Sequence, residues 1–375
     1  MTLQSHPSQP TPLSCPPQRS YTILGTGLMG RLLAVTLARQ GHSVTTYDSG
    51  GPLAEHSAAR AAASMLAPLA ESAITEPGVV RMGQHALTRW PQLLGALSTP
   101  VFFQQNGTLI VWHRQDATDA SRLRQQLEKT RTTLPDLPAM QMLNSASMAE
   151  VEPALAQRFA QGMYLPGEGQ LDNRQLLAAL AHEMEQLGVT VHWNCPKNPT
   201  DIRLDSNEWL LDCRGLGARP QWPALRGVRG EVIRIHAPGV TLQRPTRLVH
   251  PRYPIYIAPK PEHVFVIGAT EIESEDLSPP SVRSSLELLS AAYAVHPGFA
   301  EARILEITTQ CRPTLADNLP MIRQTAPRTL EINGLYRHGY MIAPAMLDVT
   351  LEVLATGQST LASRFGLSLQ LQGER

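Results

Sequence analysis

The chain has 375 residues, of which 42% are hydrophobic, and 32 basic residues balance 32 acidic ones. This length predicts two lobes with sizeable cores, and the charge balance argues against a nucleic-acid partner or an acidic membrane surface. Residues 1–20 lack a signal-peptide pattern and predict a disordered leader, and no run is long enough to span a membrane. The scattered Cys15, Cys195, Cys213 and Cys311 predict free thiols, no metal site and a cytoplasmic location.

Residues 21–48 predict a βαβ unit that binds a dinucleotide. A glycine-rich turn lies between a strand and a helix, and an acid closes the second strand about 20 residues further on. The parts in chain order are a strand at 21–24, Gly25, Gly27 and Gly30, a helix at 28–40, a strand at 43–47, and Asp48.

Each part of this unit has a physical role. Gly25 permits a sharp turn, Gly27 lets a pyrophosphate approach the backbone, and Gly30 lets the helix pack closely on the sheet. The free N–H groups at the helix N-terminus favour phosphate binding. Asp48 can accept hydrogen bonds from ribose hydroxyls, and no Arg follows to favour a 2′-phosphate. The unit therefore disfavours NADP and leaves FAD and NAD open.

The next segments predict a helix and a hairpin. Residues 57–71 are rich in alanine and predict a helix up to Pro68. Its small side chains suit either a plain helix or a backbone that lies close beside a flat ligand. Residues 101–112 predict a hairpin that turns at Asn106 and Gly107.

The later segments predict a mostly antiparallel β region and a return to helix. A strand at 208–213 runs into Gly215, which is either an ordinary turn or a second place where backbone meets a cofactor. Strands are predicted at 228–236, 253–259, 263–269 and 304–311, and a final helix is predicted at 346–357.

The element order predicts an α/β fold with an α+β second lobe. We expect a Rossmann-like nucleotide-binding domain and a discontinuous antiparallel-sheet substrate domain. The predicted nucleotide-binding domain comprises residues 21–80, 150–225 and 305–375, and the predicted substrate domain comprises residues 81–149 and 226–304.

Four separated segments together resemble the D-amino-acid oxidase superfamily of flavoproteins, and most closely its glycine oxidase branch, which is linked to thiamine synthesis. The resemblance covers residues 21–357. The segments are the GTGLMG unit, SAARAAASMLAPLAE, the strands GVRGEVIRI and YIAPKPEHVFVIGATEIE, and the tail CRPTLADNLPMI…GLYRHGYMIAPA.

The resemblance implies FAD as the cofactor. It places the alanine-rich segment beside the flavin and the GLYRHGYMIAPA tail at the pyrimidine edge of the ring. Ser64 stands where the family usually has Gly, and Leu335 stands where it commonly has His. The expected cofactor-binding residues are Gly25, Gly27, Leu28, Met29, Gly30, Asp48, Ala62, Ala63, Ser64, Met65, Leu66, Gly215, Arg337, His338, Gly339, Tyr340 and Met341.

The resemblance also implies a substrate site. Arg312 matches the family arginine that clamps a substrate carboxylate, which suits the planar fork of a guanidinium. Tyr256 matches a tyrosine that lines the substrate cavity, and Arg337 is expected near the substrate. Glu271 stands where close family members carry an apolar residue, so it belongs either to a solvated acidic loop or to a cavity wall that favours a cationic amine.

The activity implied by the resemblance is oxidation of the C–N bond of a small amino acid or related amine. Hydride transfer to the flavin would give an imine, which hydrolyses to an oxo acid and ammonia, while O2 becomes H2O2. The alternatives are a family dehydrogenase with a quinone or protein acceptor, a flavoprotein that modifies a partner protein, and an NAD-binding dehydrogenase or nucleotide sensor. Assembly as a homo-oligomer stays open.

Overall fold

The computed structural model describes residues 18–251 and 255–371. Most of the predicted leader, Cys15, and the first two residues of the strand predicted at 253–259 lie outside these ranges. Ser20, assigned to the leader, is the first residue of a strand.

The described residues form eighteen strands and ten α-helices. The strands are β1 Ser20–Leu24, β2 Ser43–Tyr47, β3 Met65–Leu66, β4 Phe103–Gln104, β5 Thr108–Trp112, β6 Gln141–Asn144, β7 Gln161–Leu165, β8 Gly169–Leu171, β9 Thr190–His192, β10 Glu208–Asp212, β11 Arg226–His236, β12 Thr246–Val249, β13 Ile255–Lys260, β14 Val264–Gly268, β15 Arg303–Thr314, β16 Met321–Ala326, β17 Thr329–Asn333 and β18 Leu369–Gln370. The helices are α1 Leu28–Arg39, α2 Ala58–Ala61, α3 Pro68–Glu71, α4 Pro77–Gly95, α5 Ala117–Thr133, α6 Ser145–Val151, α7 Asn173–Gln186, α8 Val282–Val295, α9 Gly339–Thr356 and α10 Thr360–Phe365.

The first sheet has seven strands in the order β18-β16-β17-β10-β1-β2-β9. Every neighbouring pair is parallel except β16 and β17. The chain passes from β1 to β2 on one side and later places β10 on the other side of β1. The carboxyl end of β1 is therefore a topological switch point, where ligands bind in open α/β sheets.

The second sheet has eight strands in the order β15-β11-β14-β13-β12-β5-β7-β6, and only β12 and β5 pair in parallel. A small third sheet has the order β3-β8-β4, and its strand β3 belongs to the alanine-rich segment. This architecture confirms the predicted fold class. The predicted domain limits remain a prediction. They assign β7 and most of β15 to the nucleotide-binding domain, whereas both strands belong to the second sheet.

A hydrophobic core joins the first sheet to α1, α4, α7 and α9. Trp90 of α4 is fully buried, and its indole N–H donates to the carbonyl oxygen of Tyr340 at 2.9 Å. In the described part of the chain, one helical stretch, Tyr336–Thr356, is long and apolar enough to cross a membrane, but 67% of its 18-residue apolar portion is buried inside the protein. Its packing is that of a core helix.

Outside the alanine-rich segment, two element predictions are wrong. The segment at 101–112 does turn at Gly107, whose φ is +85°, but its two strands do not pair with each other. β4 pairs with β8, whereas β5 pairs with β7 and β12. The final helix begins at Gly339 rather than at Met346 and continues through Pro344, because burial of its apolar residues outweighs the local cost of glycine and proline.

Candidate active site

The carboxyl end of β1 and the N-terminus of α1 form one end of a cavity of about 550 Å³. Gly25 has a φ of +84°, and a Cβ there would lie 2.7 Å from the Cα of Arg214. A Cβ on Gly30 would lie 1.9 Å from the carbonyl oxygen of Gly25, so only glycine permits this contact between helix and turn. Gly27 caps α1 and borders the cavity. The helix N-terminus is thus placed to receive a phosphate.

Asp48 borders the same end of the cavity and organises its loop. Its Oδ2 accepts hydrogen bonds from the backbone N (2.5 Å) and Oγ1 (2.8 Å) of Thr26, and its Oδ1 accepts one from the N–H of Gly50 at 2.7 Å. A carboxylate oxygen accepts more than one hydrogen bond. The carboxylate of Asp48 can therefore accept a further hydrogen bond from a ribose hydroxyl. That contact remains a prediction.

Behind the glycine turn lies Arg31, which is fully buried. Its guanidinium donates to the carbonyl oxygens of Thr26 (2.7 Å), Leu177 (2.5 Å) and Pro52 (2.9 Å). Burial lowers the pKa of Arg31 to about 10, which leaves it charged at neutral pH. A cation fixed beneath the phosphate-binding turn adds to the attraction of the helix N-terminus for an anion.

The helix predicted up to Pro68 is wrong beyond Ala61, where α2 ends. Ala62 is extended, and Ser64 has a φ of +53°. The side chain of Asn173 donates to the carbonyl oxygens of Ala59 (3.0 Å) and Arg60 (2.6 Å). A longer helix would use these carbonyl oxygens internally, so the tertiary hydrogen bonds replace helical ones. The opened segment then runs along the cavity.

Most of this segment has the predicted position. Ala62, Ala63, Ser64 and Met65 line the cavity. Leu66 does not; its side chain is buried, and its backbone pairs with Gly169 of β8.

Gly215 follows β10 and also lines the cavity, with a φ of +56°. Its carbonyl oxygen accepts a hydrogen bond from the side chain of Asn333 at 2.9 Å. The second glycine turn therefore lies at the same cavity as the first, as expected for a cofactor contact.

Arg312 also borders the cavity, from β15 of the second sheet. Its guanidinium donates to the carbonyl oxygens of Thr270 (3.0 Å) and Arg229 (3.4 Å). A Cβ on Gly230 would lie only 2.3 Å from Arg312 Nη2, so the glycine makes room for the guanidinium. Burial and the nearby Arg337 lower the pKa of Arg312. Among the described residues, no carboxylate forms an ion pair with it.

Beside Arg312 lies a network centred on Glu71, a buried carboxylate that faces the cavity. The Tyr256 hydroxyl donates to Glu71 Oε1 at 2.5 Å, and Arg337 Nε lies 3.2 Å from Oε2. His338 Nδ1 is 3.7 Å from Oε2, and Arg247 reaches the Tyr256 hydroxyl at 3.3 Å. The structure thus brings together the predicted Tyr256, Arg337 and His338 around an acid that the sequence analysis did not assign.

Electrostatics fix the protonation of this network. Burial alone would raise the pKa of Glu71, but Arg337, His338 once it is protonated in acid, and Arg247 hold it at about 2, so Glu71 is ionised at neutral pH. Burial lowers the pKa of His338 to about 4 against the opposing pull of Glu71, so this imidazole is neutral. Burial raises the pKa of the Tyr256 hydroxyl, which keeps its proton and acts as a donor.

Glu271 lies on the cavity wall and is half-exposed. Its Oε2 is 2.7 Å from Arg337 Nη1, and its Oε1 accepts a hydrogen bond from the Tyr336 hydroxyl at 2.7 Å. Residues 271–276, here called the acidic loop, are not a merely solvated segment. Their other carboxylates pair with arginines: Glu273 with Arg226, Glu275 with Arg219, and Asp276 with Arg229.

The tail segment completes the cavity. Arg337, His338, Gly339, Tyr340 and Met341 all line it, across the start of α9. The Tyr340 hydroxyl donates to the carbonyl oxygen of Ala59 at 3.0 Å, which ties the tail to the alanine-rich segment.

The predicted site residues therefore meet at one cavity, with Gly30 and Leu66 as the exceptions that support its walls from behind. The sequence analysis missed Glu71, Arg31, Tyr336 and Lys260. The positions of Glu71 and Arg31 in the sequence could have indicated a role in the site. Each is a charged residue within or next to a segment that was expected to contact a ligand.

The cavity fits an elongated dinucleotide cofactor. Its volume lies within the roughly 300–1,000 Å³ of small-molecule sites. It runs from a phosphate-binding helix N-terminus, past the backbone of a small-residue segment, to a cluster of polar side chains. Among the described residues, no group of three or more His, Cys, Asp or Glu side chains could hold a metal ion.

Comparison with known proteins agrees with this geometry. A model of the family described as FAD dependent oxidoreductase (DAO) matches residues 20–350. A Rhizobium etli protein named as a thiamine biosynthesis oxidoreductase, ThiO, is 38% identical over 334 residues, which cover 89% of this chain and 96% of that protein.

Two solved structures share the fold. Glycine oxidase from Geobacillus kaustophilus superposes with a TM-score of 0.76 at 23% identity, covering 96% of this chain and all of that one. Iminodiacetate oxidase from Chelativorans sp. BNC1 superposes with a TM-score of 0.77 at 19% identity, covering 94% of this chain and all of that one.

These findings confirm the resemblance to the glycine oxidase branch and decide between the cofactors that the glycine motif left open. The chain belongs to the DAO family of FAD-dependent oxidoreductases, and its cofactor is FAD.

Proposed function

We propose that this enzyme oxidises the C–N bond of a small amino acid or related amine, with Arg312 as the ligand of the substrate carboxylate. The observation that carries the proposal is the guanidinium of Arg312, which borders the cavity and, among residues 18–251 and 255–371, has only backbone carbonyl oxygens as hydrogen-bond partners. A charged group without a paired counterion at a cavity wall favours an anionic ligand.

The balance of charges supports a substrate with one carboxylate. Arg247, Arg312 and Arg337 carry three positive charges around this end of the cavity, and Glu71 and Glu271 carry two negative ones. One positive charge remains. Among the described residues, neither Arg247 nor Arg312 forms an ion pair, and of these two only Arg312 borders the cavity. Arg337 contacts two carboxylates of the protein itself, so its predicted contact with the substrate would require the release of Glu271.

The FAD, when bound, supplies the acceptor for a hydride equivalent. The protein's contribution is orientation: Arg312 fixes the carboxylate, and the protonated Tyr256 donates a hydrogen bond from the adjacent wall. Glu71 and His338 are weak bases at neutral pH, because their pKa values are lowered to about 2 and about 4. We propose that the substrate amine reacts in its neutral form and that the resulting imine hydrolyses to an oxo acid and ammonia.

We also infer a cytoplasmic location. It is supported by Cys195, Cys213 and Cys311, which are free thiols in the structure. Whether subunits assemble as a homo-oligomer stays a prediction.

The test is aerobic turnover of the purified flavoprotein with glycine, sarcosine, small D-amino acids and larger amines. The proposal predicts equal amounts of H2O2, ammonia and oxo acid from at least one small amino acid. Reduction of the flavin without H2O2, followed by reoxidation by a quinone, would instead indicate the dehydrogenase alternative. Binding of FAD with no reduction by any free amine would overturn the proposal.

A further inference from the structure

Lys260, the last residue of β13, crosses from the second sheet to the alanine-rich segment. Its side chain is buried, and the ammonium group donates to the carbonyl oxygens of Leu171 (2.7 Å) and Ala63 (2.9 Å) and to Gln170 Oε1 (3.1 Å). An ammonium has three protons, so these three acceptors satisfy it. Lys260 does not itself border the cavity, but Ala63 and Ser64 do.

The segment that Lys260 holds has an unfavourable backbone conformation. Ser64 has a φ of +53°, a region that residues with a Cβ adopt at a cost. Its hydroxyl lies 2.5 Å from the carbonyl oxygen of Leu171 and 2.7 Å from that of Ala63, the two oxygens that Lys260 also contacts. Lys260 and Ser64 therefore form one clamp on the same pair of carbonyl groups.

The alanine-rich sequence would otherwise favour helix through this region. A helix would use the carbonyl oxygen of Ala63 for an internal hydrogen bond. Lys260 captures that oxygen, as Asn173 captures those of Ala59 and Arg60. Burial lowers the pKa of Lys260 to about 7, against the opposing pull of Asp172, which is itself paired with Arg234 at 3.3 Å.

We propose that Lys260 is a positioning residue for FAD: with Ser64, it holds residues 62–64 open as a fixed wall of the cofactor cavity. The inference rests on FAD as the cofactor and not on the amine chemistry. Glycine adopts a positive φ without help. We infer that the clamp stabilises the same conformation in Ser64, so that serine can stand at this position.

The experiment compares FAD affinity and the visible flavin spectrum after reconstitution of the apoproteins. Lys260→Met should weaken FAD binding about tenfold or more, since it removes several buried hydrogen bonds from the cavity wall, and should shift the flavin bands. Lys260→Arg keeps a cationic donor and should retain more of the affinity. Lys129→Met, which removes an exposed lysine on α5, is the matched control and should leave both readouts unchanged.

The double variant Lys260→Met/Ser64→Gly separates this role from a general loss of stability. Glycine accepts the left-handed conformation without the clamp, so Ser64→Gly should restore part of the lost affinity. Ser64→Ala leaves Lys260 intact but lacks the hydroxyl, and it should weaken FAD binding. This variant tests the clamp if Lys260→Met fails to fold. FAD binding by Lys260→Met equal to that of the control, or no rescue by Ser64→Gly, would overturn the proposal. If the wild-type protein binds FAD but oxidises no amine, the proposed function is wrong, and the role of Lys260 can still be tested by FAD binding.

Discussion

Glu71 shows how single residues can escape sequence reasoning. It is the last residue of a segment whose alanines were expected to matter, and its partners Tyr256, Arg247 and Arg337 lie far away in the sequence. No local pattern distinguishes such an acid from a solvated one. Arg312 could be predicted because it matches a motif, whereas Glu71 is defined only by what the fold places around it.

The low pKa of Glu71 predicts a pH-dependent contribution to stability. A folded pKa of about 2 lies below the ordinary value of 4.5. The stabilisation is therefore complete above about pH 5 and is lost as the pH falls towards 2. Above pH 5, Glu71→Gln should lower the free energy of unfolding by roughly 3 kcal/mol.

Chemical denaturation of wild type and Glu71→Gln at several pH values measures this difference, which should shrink on acidification. Glu150→Gln, at an exposed position on α6, is the control and should give no pH-dependent difference. A difference between wild type and Glu71→Gln that stays constant down to pH 3 would contradict the assigned ionisation.

The predicted preference of Glu271 for a cationic amine competes with contacts inside the protein, because its carboxylate already pairs with Arg337 and accepts a hydrogen bond from Tyr336. If Glu271 favours a cationic amine, Glu271→Gln should lower kcat/KM for an amino acid with a second amino group relative to glycine, by roughly three- to tenfold. Glu273→Gln, two residues on in the acidic loop and paired with Arg226, is the matched control. An unchanged ratio in Glu271→Gln would assign the residue to loop anchoring alone.

At the scale of elements, periodicity and turn chemistry predicted β1, α1 and β2 closely because every residue there agrees with its local role. The hairpin at 101–112 failed for a different reason. Asn106 and Gly107 do turn the chain, but β8 and β7, supplied by distant sequence, are the strands that pair with its two arms. The prediction of a long alanine-rich helix was wrong because the side chains of Asn173 and Lys260 bind the carbonyl oxygens of this segment. Helix propensity does not include such tertiary hydrogen bonds.

The contact between α1 and β1 gives a prediction at this scale. Gly30→Ala would place a Cβ 1.9 Å from the carbonyl oxygen of Gly25. The helix must then move away from the turn, at a cost of about 1–3 kcal/mol, and the phosphate-binding end of the cavity is displaced.

Thermal unfolding and FAD titration of Gly30→Ala should show both lower stability and weaker cofactor binding. Gly95→Ala is the control, because a Cβ at the end of α4 meets nothing within 4 Å. Normal FAD affinity in Gly30→Ala would show that the close contact is not needed for the cofactor.

For the whole molecule, the cavity runs from the switch point of the first sheet to β15 of the second. FAD should therefore stabilise both sheets together. Binding to the folded state alone adds about 2.7 kcal/mol when free FAD is 100 times its Kd. The midpoint of thermal unfolding should rise with added FAD as a single transition. Unfolding in two steps, with only one sensitive to FAD, would disagree with a cofactor that contacts both sheets.

The order of the segments predicted this architecture, because the dinucleotide unit and the antiparallel strands occur in separate blocks of sequence. The crossing points could not be predicted. β5 and β12 pair in parallel across about 140 residues of chain, and β15, at the edge of the second sheet, brings Arg312 to the cavity. These strand pairings join segments that are distant in the sequence. They depend on the arrangement of both sheets around one cavity, which is a property of the complete fold.

The central claim, that Arg312 holds the carboxylate of an amine substrate, is tested most directly by anaerobic reduction of the bound flavin. Glycine and methylamine differ in the carboxylate, and wild type and Arg312→Ala differ in its proposed partner. We predict that wild type is reduced much faster by glycine than by methylamine and that Arg312→Ala loses most of this difference, roughly 10- to 150-fold, while still binding FAD. An equal preference for glycine in both proteins would contradict the account.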